Sequence, residues 1–339
     1  MSRQRPFLSV VLPVHNEREN LPALVERLTA TCRTLGKHYE AIFVDDGSTD
    51  DSLAMLCRFA AADPCIRVVE FNRNYGQHRA VFAGLAESRG EVVVTLDADL
   101  QNPPEEIPVL LAKIAEGYDV VGGRRAVRQD SLLRRVPSWI NNRLVSIAIG
   151  TRMRDCGSML RAYRREMVDQ MLKCREIPRY IPALAYVFAR RTIEVETAHA
   201  ERTKGESKYR LGSLLRLWAD LLTGFSALPL RMVSLFGLAT AVLGLGFSVF
   251  LIVRRLVLGS EAEGLFTLFA VLFFFVGAQI LCIGIVGEYV GRIFSEVRGR
   301  PSFVVRKVHG GESAGPAEPP PLRENQGERM VAAGAERRS

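Results

Sequence analysis

The sequence contains no CxxC pair and no cysteine–histidine cluster at metal-binding spacing, although it has six cysteines. A zinc site and a disulfide framework are therefore not expected, and we interpret the cysteines as reduced thiols of a cytoplasmic protein. No GxGxxG or Walker A segment follows the first predicted strand, which argues against a dinucleotide oxidoreductase and a P-loop NTPase. The formal net charge is +8, but no recognition motif accompanies it, so nucleic acid is not expected as a partner.

Charged residues are absent from two long runs in the C-terminal part of the chain, Met232 to Val253 and Gly264 to Gly287. Each run exceeds the roughly 20 residues that a helix needs to cross a bilayer. We therefore expect a two-helix transmembrane hairpin over residues 231–291; a pair of buried core helices is the alternative. Neither run lies at the N-terminus, so a cleaved signal peptide is not expected.

The segments that flank the hairpin differ in character. Residues 210–230 show leucines at helical spacing beside two arginines, which favours a juxtamembrane amphipathic helix, although a soluble-core helix would show the same stripe. Residues 292–309 are basic, which indicates contact with anionic lipid and a cytoplasmic location. Residues 310–339 lack periodicity, and we expect a disordered tail there.

Small residues recur four positions apart in both predicted membrane helices. Gly237 and Ala241 form one such pair, and Gly287 and Gly291 form the other. This spacing lets helix backbones approach closely. We therefore expect a homo-oligomer.

Strand-like and helix-like patterns alternate through the first hundred residues. This alternation predicts an α/β fold with a mostly parallel, doubly wound sheet, within a catalytic domain of residues 1–209. The predicted strands are Leu8–Val14, Glu40–Val44, Ile66–Phe71 and Glu91–Leu96, with a further strand at Tyr118–Val121.

Polar residues follow three of the predicted strands. Asn16 and Glu17 follow the first strand, Asp45 and Asp46 follow the second, and Asp97 follows the fourth. Each cluster alone is compatible with helix caps and turns. Because the carboxyl ends of parallel strands meet at one edge of a sheet, the three together predict a nucleotide site.

Asp97, Asp99 and Gln101 follow a buried apolar run at alternate positions. If the chain is extended there, the three side chains lie on one side and offer hard oxygen ligands. We therefore predict a divalent-metal site. Arg124 follows the strand Tyr118–Val121 and two glycines, where it could meet phosphate or serve as an ordinary solvated turn residue.

Several motifs carry a family resemblance. Ser9–Glu17 (SVVLPVHNE), Val44–Asp50 (VDDGSTD), Asn74–Gly76 and Asp97–Asp99 resemble the signatures of inverting family-2 glycosyltransferases with a GT-A fold. Asp155, Met159–Tyr163, Gly205–Tyr209 and the two apolar runs are similar to the polyprenyl-phosphate branch of that family. The resemblance covers residues 7–308.

The resemblance implies transfer of 4-deoxy-4-formamido-L-arabinose from UDP to undecaprenyl phosphate, for lipid A modification and resistance to cationic peptides. It also implies a multi-pass protein of the bacterial inner membrane, with its catalytic domain and C-terminus in the cytoplasm, assembled as a homo-oligomer such as a tetramer. One alternative keeps the chemistry with UDP-glucose or GDP-mannose as donor. Another is a non-catalytic nucleotide-binding partner of a lipid-sugar flippase.

The resemblance also assigns roles to residues. The expected metal is Mg²⁺ or Mn²⁺, held by Asp97, Asp99 and Gln101. The residues that it places around the nucleotide are Pro13, Val14, Asn16, Glu17, Asp45, Asp46, Asn74, Asp97 and Ala98. Those that it assigns to the acceptor phosphate are Arg134, Arg135, Ser138, Arg202, Ser207 and Lys208.

Asp99, Asp155 and Arg124 are the expected catalytic residues. Family members that act on sugar hydroxyls use a carboxylate near the position of Asp155 as a base. A phosphate acceptor is already an anion near neutral pH, because its second ionisation lies near 6. Asp155 is therefore expected either to act as a base or only to orient the acceptor.

Overall fold

A computed structural model describes residues 5–125, 158–174, 181–198, 228–258, 265–298 and 301–310. The described part contains eight strands that form one mixed, mostly parallel sheet. The predicted α/β class is therefore confirmed. In chain order the strands are β1 Leu8–Val14, β2 Tyr39–Asp45, β3 Ile66–Phe71, β4 Val92–Thr95, β5 Val120–Arg125, β6 Arg161–Arg164, β7 Thr192–Thr197 and β8 Val305–His309.

Helices connect the parallel strands and cover the sheet. A short 3-10 turn at Pro104–Glu106 leads into the fourth helix. The α-helices are α1 Leu21–Thr34, α2 Ser52–Ala62, α3 Gln77–Glu87, α4 Ile107–Ala115, α5 Arg165–Lys173, α6 Ile181–Phe188, α7 Leu228–Leu258 and α8 Leu265–Val297.

The strand order is β7-β5-β6-β4-β1-β2-β3-β8. β1 pairs in parallel with β2 and β4, β2 with β3, and β5 with β7. β6 is antiparallel to both of its neighbours, so β4 and β5 point the same way. The carboxyl ends of six strands therefore lie at one edge of the sheet, where α/β proteins bind ligands.

Apolar side chains bury both faces of the central strands. One cluster packs α1, α2 and α4 against β1, β2 and β4, while another places α3 and α5 on the opposite face around Val11 and Val93. Burial on both faces explains why the sequences of these strands are continuous apolar runs. Gly84 of α3 lies so close to the sheet that an added Cβ would be 2.3 Å from a methyl carbon of Val11.

Strand boundaries near the site differ from the predicted ones. β4 covers Val92–Thr95 and is one residue shorter at each end than the predicted strand Glu91–Leu96. β5 extends to Arg125, so Arg124 lies within a strand and does not follow one.

No strand was predicted after the apolar runs, yet β8 lies there. It pairs antiparallel with β3 and completes one edge of the sheet. β8 is short, basic and largely exposed, and its partner lies more than two hundred residues away, so no local pattern indicates it.

α7 contains the first uncharged run and extends beyond it at both ends, and α8 covers the second run from Leu265 and continues to Val297. Many of their large apolar side chains are exposed, such as Leu243 at 73% and Leu256 at 81%. Judged on the described residues alone, none of the helices combines the length and apolar character of a bilayer crossing. An added Cβ on Gly237, Gly287 or Gly291 would meet no atom of the described residues within 4 Å.

Candidate active site

A cleft of about 270 Å³ opens at the carboxyl edge of the sheet. Its walls come from the last residues of β1 and from the segments that follow β1, β2, β3 and β4. The lining residues are Pro13, Val14, His15, Glu17, Asp46, Asn74, Gly76, Gln77, Asp97, Ala98 and Asp99. Seven of the nine predicted nucleotide-binding residues are in this set; Asn16 and Asp45 are not.

Asp46 fixes the back of the cleft. Its side chain is buried, with 3% of the residue exposed, and its two oxygens accept backbone N–H groups from Tyr75 at 2.6 Å and Gly76 at 2.9 Å. Burial raises the pKa of the Asp46 carboxyl above its ordinary value, while the two amide hydrogen bonds oppose that rise. Each carboxylate oxygen keeps a second lone pair that a ligand can use.

Asp45 serves the turn below the cleft. It is 1% exposed, and its Oδ2 accepts the backbone N–H of Ser48 at 3.2 Å. Its Oδ1 has no hydrogen-bond partner among the described residues. Burial raises the pKa of this carboxyl as well. Of these two predicted nucleotide-binding residues, Asp46 is the one that lines the cleft.

Asn16 organises the turn after β2 and does not line the cleft. It adopts a left-handed backbone with φ 58°. Its side-chain oxygen accepts the backbone N–H of Thr49 at 2.8 Å, and its own N–H donates to Ser48 at 3.1 Å. The residue thus joins the β1 and β2 loops, which gives it a role in shaping the site.

His15 lines the cleft, although no role was predicted for it from the sequence. Its Nδ1 lies 3.0 Å from the carbonyl oxygen of Asp46, and its Nε2 lies 3.4 Å from the side-chain nitrogen of Asn16. Because a carbonyl only accepts, Nδ1 carries the proton in this arrangement. A single histidine in a loop gives no sequence signal of this contact.

Asp97 and Asp99 both face the cleft, but not for the predicted reason. β4 has ended, and Leu100 adopts φ 60°, so a turn and not an extended strand brings them together. Gln101 donates its backbone N–H to Asp99 Oδ1 at 3.1 Å. Across the described ranges, no group of three His, Cys, Asp or Glu side chains forms a metal cluster. The two carboxylates nevertheless fit a divalent ion, because they offer hard oxygen donors on one wall.

Gln77 is a further cleft residue that was not predicted from the sequence. It begins α3, and its side-chain nitrogen donates to Asp97 Oδ1 at 2.6 Å. Asn102 donates to the other oxygen of Asp97 at 3.4 Å. These amides hold the Asp97 carboxylate in place. An isolated glutamine or asparagine carries no chemical pattern of its own, so the sequence gives no signal of these contacts.

Arg124 forms an ion pair with Glu196 of β7. It lies at the same carboxyl edge as Asp97, two strands away from β4, but it is not part of the cleft wall. A phosphate group bound by Arg124, as predicted, would therefore compete with the Glu196 carboxylate for the Arg124 guanidinium. Asp155, Arg134, Arg135, Ser138, Arg202, Ser207 and Lys208 lie outside the described residues.

The family model of glycosyl transferase family 2 matches residues 9–172, from β1 into α5. The undecaprenyl-phosphate 4-deoxy-4-formamido-L-arabinose transferase of Yersinia pestis (strain Pestoides F) is 52% identical over 318 residues, covering 92% of this chain and 97% of that protein. The protein of the same name from Klebsiella pneumoniae is 51% identical and covers 89% of this chain and 93% of its own length. The chain therefore belongs to glycosyl transferase family 2 and, within it, to the family of these undecaprenyl-phosphate transferases.

Among solved structures, this chain is similar to glucosyl-3-phosphoglycerate synthase from Mycobacterium tuberculosis in complex with Mn²⁺, UDP and glucosyl-3-phosphoglycerate. The two sequences are 23% identical, the match covers 65% of this chain and 80% of the synthase chain, and the TM-score is 0.49.

Proposed function

We propose that the protein transfers 4-deoxy-4-formamido-L-arabinose from UDP to undecaprenyl phosphate. The observation that carries this proposal is 52% identity over 92% of the chain to a transferase of that name. The cleft supports it, because residues from all four family motifs of the first hundred residues meet there.

The nucleotide is proposed to lie against Asp46 with its diphosphate toward α3 and Asp97. Uracil carries an imide N–H, and the buried Asp46 carboxylate has acceptor capacity for it. α3 begins at Gln77 without a side-chain cap, and such a helix N-terminus favours an anion. Glu17 and Asn74 complete the wall on the side of β1 and β3.

Asp97 and Asp99 are the residues that would hold Mg²⁺ or Mn²⁺, with Gln101 as a further predicted ligand. Such an ion neutralises the charge of a diphosphate leaving group. In the protein itself, Gln77 and Asn102 orient Asp97, and the backbone of Gln101 orients Asp99. These contacts keep the two carboxylates turned toward the cleft.

In the proposed reaction an oxygen of the acceptor phosphate attacks the anomeric carbon of the sugar. The bond between that carbon and the UDP oxygen breaks, and UDP leaves with the electron pair. A phosphate monoester is largely ionised near neutral pH, so no proton must be removed from it. Asp155 is then best assigned to orienting the acceptor, together with the predicted acceptor-phosphate residues beyond the described ranges.

Membrane attachment follows from a polyprenyl acceptor, and we assign it to the two uncharged runs. Neither run contains a charged residue at any position of the sequence. β7 precedes the two long helices and β8 follows them, yet both strands belong to one sheet. The helical pair must therefore leave and return on the same side, which supports two crossings with both flanks cytoplasmic.

The experiment is sugar transfer by the purified full-length protein with undecaprenyl phosphate and a panel of UDP- and GDP-sugars, with and without EDTA. We expect EDTA-sensitive transfer from UDP-4-deoxy-4-formamido-L-arabinose. Transfer only from UDP-glucose or GDP-mannose would replace the proposed sugar. Nucleotide binding without transfer from any donor would favour a non-catalytic partner of a flippase.

A further inference from the structure

We infer that residues 301–310, here named the return segment, set the position of the loop that holds Asp46. Phe303 is the positioning residue and acts through Phe71 and Tyr75. α8 ends at Val297, so only a few residues separate the return segment from the second long helix. The inference rests on the proposed function only in taking the cleft as the nucleotide site.

The return segment is firmly attached to the edge of the sheet. Within it, β8 pairs with β3, and the backbone N–H of Asn72 donates to the carbonyl of Val304 at 3.3 Å. Glu70, whose side chain is 9% exposed, accepts from Arg306 at 3.0 Å and lies 2.8 Å from His309 Nε2. A tether with this many contacts can hold an aromatic side chain in a fixed place.

Phe303 stacks on Phe71, the last residue of β3. Their ring centroids are 5.1 Å apart and the rings are inclined by 19°. Phe71 in turn meets the ring of Tyr75 edge-on, at 5.6 Å and 88°. Both geometries are favourable for aromatic pairs. The three rings therefore form a continuous contact from the return segment to the loop before α3.

Tyr75 ends this contact at the cleft. Its backbone N–H donates to Asp46 Oδ1 at 2.6 Å, and the next N–H, from Gly76, donates to Oδ2. The loop before α3 is also packed tightly against the turn after β2, because a Cβ added to Gly47 would lie 2.4 Å from the carbonyl carbon of Arg73. A shift of the Tyr75 ring therefore changes the position of Asp46 and of the cleft wall.

The test compares Phe303→Ala with Val304→Ala in the full-length protein in lipid nanodiscs. Val304 is a suitable control because it neighbours Phe303 and is 44% exposed. Phe303→Leu keeps apolar volume without the ring stack and serves where Phe303→Ala fails to fold. The first readout is hydrogen–deuterium exchange of the peptide containing Tyr75 and Gly76, which needs no ligand. The second is UDP affinity, with the KM values for donor and acceptor.

For Phe303→Ala we expect faster exchange at Tyr75 and Gly76 and a loss of about 3- to 10-fold in UDP affinity. The donor KM rises by a similar factor, while the KM for undecaprenyl phosphate stays unchanged. Phe303→Leu changes in the same direction by less, and Val304→Ala matches wild type. Unchanged exchange and UDP affinity in a folded Phe303 variant would overturn the inference, as would an equal rise of both KM values. If wild-type protein does not bind UDP, the proposed function fails, and the exchange readout still decides the role of Phe303.

Discussion

The carboxylate of Asp46 and the backbone N–H of Tyr75 lie 2.6 Å apart, which ties the end of β2 to the loop before α3. Asp46 sits at a strand end, and Tyr75 belongs to a segment without regular structure. The hydrogen bond therefore fixes the loop before α3, which forms one wall of the cleft, to the end of a sheet strand. The stability of this wall and nucleotide binding should accordingly depend on the same side chain.

Asp46→Asn is expected to weaken both donor binding and folding. An amide replaces one carboxylate oxygen with an N–H donor, which must face either Tyr75 N–H or Gly76 N–H. Hydrogen bonds to charged groups contribute roughly 1.5–3 kcal/mol, so the donor KM should rise at least about 10-fold. Steady-state kinetics and thermal unfolding measure the two effects.

A matched control for that variant is Asp119→Asn. Asp119 also accepts two backbone N–H groups, from Arg190 at 3.0 Å and Arg191 at 2.8 Å, but it lies outside the cleft. Both N–H groups donate to Oδ2 of Asp119, so the amide oxygen of the asparagine can still accept them. The variant should therefore lower stability less than Asp46→Asn does and leave the donor KM unchanged. Equal donor KM values for Asp46→Asn and wild type would contradict the assignment of the nucleotide to this wall.

Asp99→Ala is expected to reduce turnover by at least about 100-fold, because a preorganised group that stabilises developing charge is lost. The fold should persist, since Asp99 lies in a turn after β4 and only the backbone of Gln101 is bonded to its side chain in the described structure. Initial transfer rates at saturating Mg²⁺ or Mn²⁺ test this. Glu116→Ala, which removes an exposed carboxylate paired with Lys113, is the control and should retain activity. Near-normal turnover of Asp99→Ala would argue against the metal assignment.

The central strands and their carboxylates could be predicted because burial leaves a strong local pattern. β1 is buried at every position, and Asp97 and Asp99 follow an apolar run. The partner of Arg124 could not be predicted, because Glu196 is brought to it only by the pairing of β5 with β7. His15 and Gln77 were missed for a similar reason, since their contacts depend on where loops from separate strands meet.

Gly47→Ala is expected to destabilise the protein more than Gly36→Ala does. Both glycines have left-handed backbones, with φ of 63° and 62°, so an added Cβ costs roughly 1–2 kcal/mol at either site. At Gly36 the Cβ meets no atom within 4 Å in the described part of the chain, whereas at Gly47 it meets the Arg73 backbone at 2.4 Å. The clash should add about 1–3 kcal/mol and lower UDP affinity. Chemical denaturation and UDP titration of both variants measure the difference; equal losses would show that the loop can move away.

Asp45→Asn is expected to change how stability depends on pH. Burial raises the pKa of Asp45 above its ordinary value of 3.8, so the folded protein binds this proton more tightly than the unfolded chain does. Stability therefore falls as the pH rises from 3.8 through the raised pKa, and the loss is complete above it. The asparagine variant lacks this loss of stability. The difference in Tm between Asp45→Asn and wild type should therefore be more positive at neutral pH than near pH 4. A difference that stays constant across that range would refute the prediction.

Reporter fusions test the arrangement of the two long helices. A reporter placed after Gly310 should be cytoplasmic, because β8 directly before it pairs with β3 of the catalytic sheet. A reporter inserted after Ser260, between α7 and α8, should be periplasmic. A periplasmic signal from the first fusion, or a cytoplasmic signal from the second, would contradict two crossings.

The position of β8 also has a consequence for biogenesis. β3 is synthesised early, but the strand that covers its edge emerges from the ribosome only after both long helices. During that interval β3 exposes unpaired backbone groups, which are a template for association with other chains. The sheet is therefore completed last, by a strand that is synthesised after both long helices. Chains that stop before Val305 should consequently aggregate even though every residue of the cleft wall has already been made.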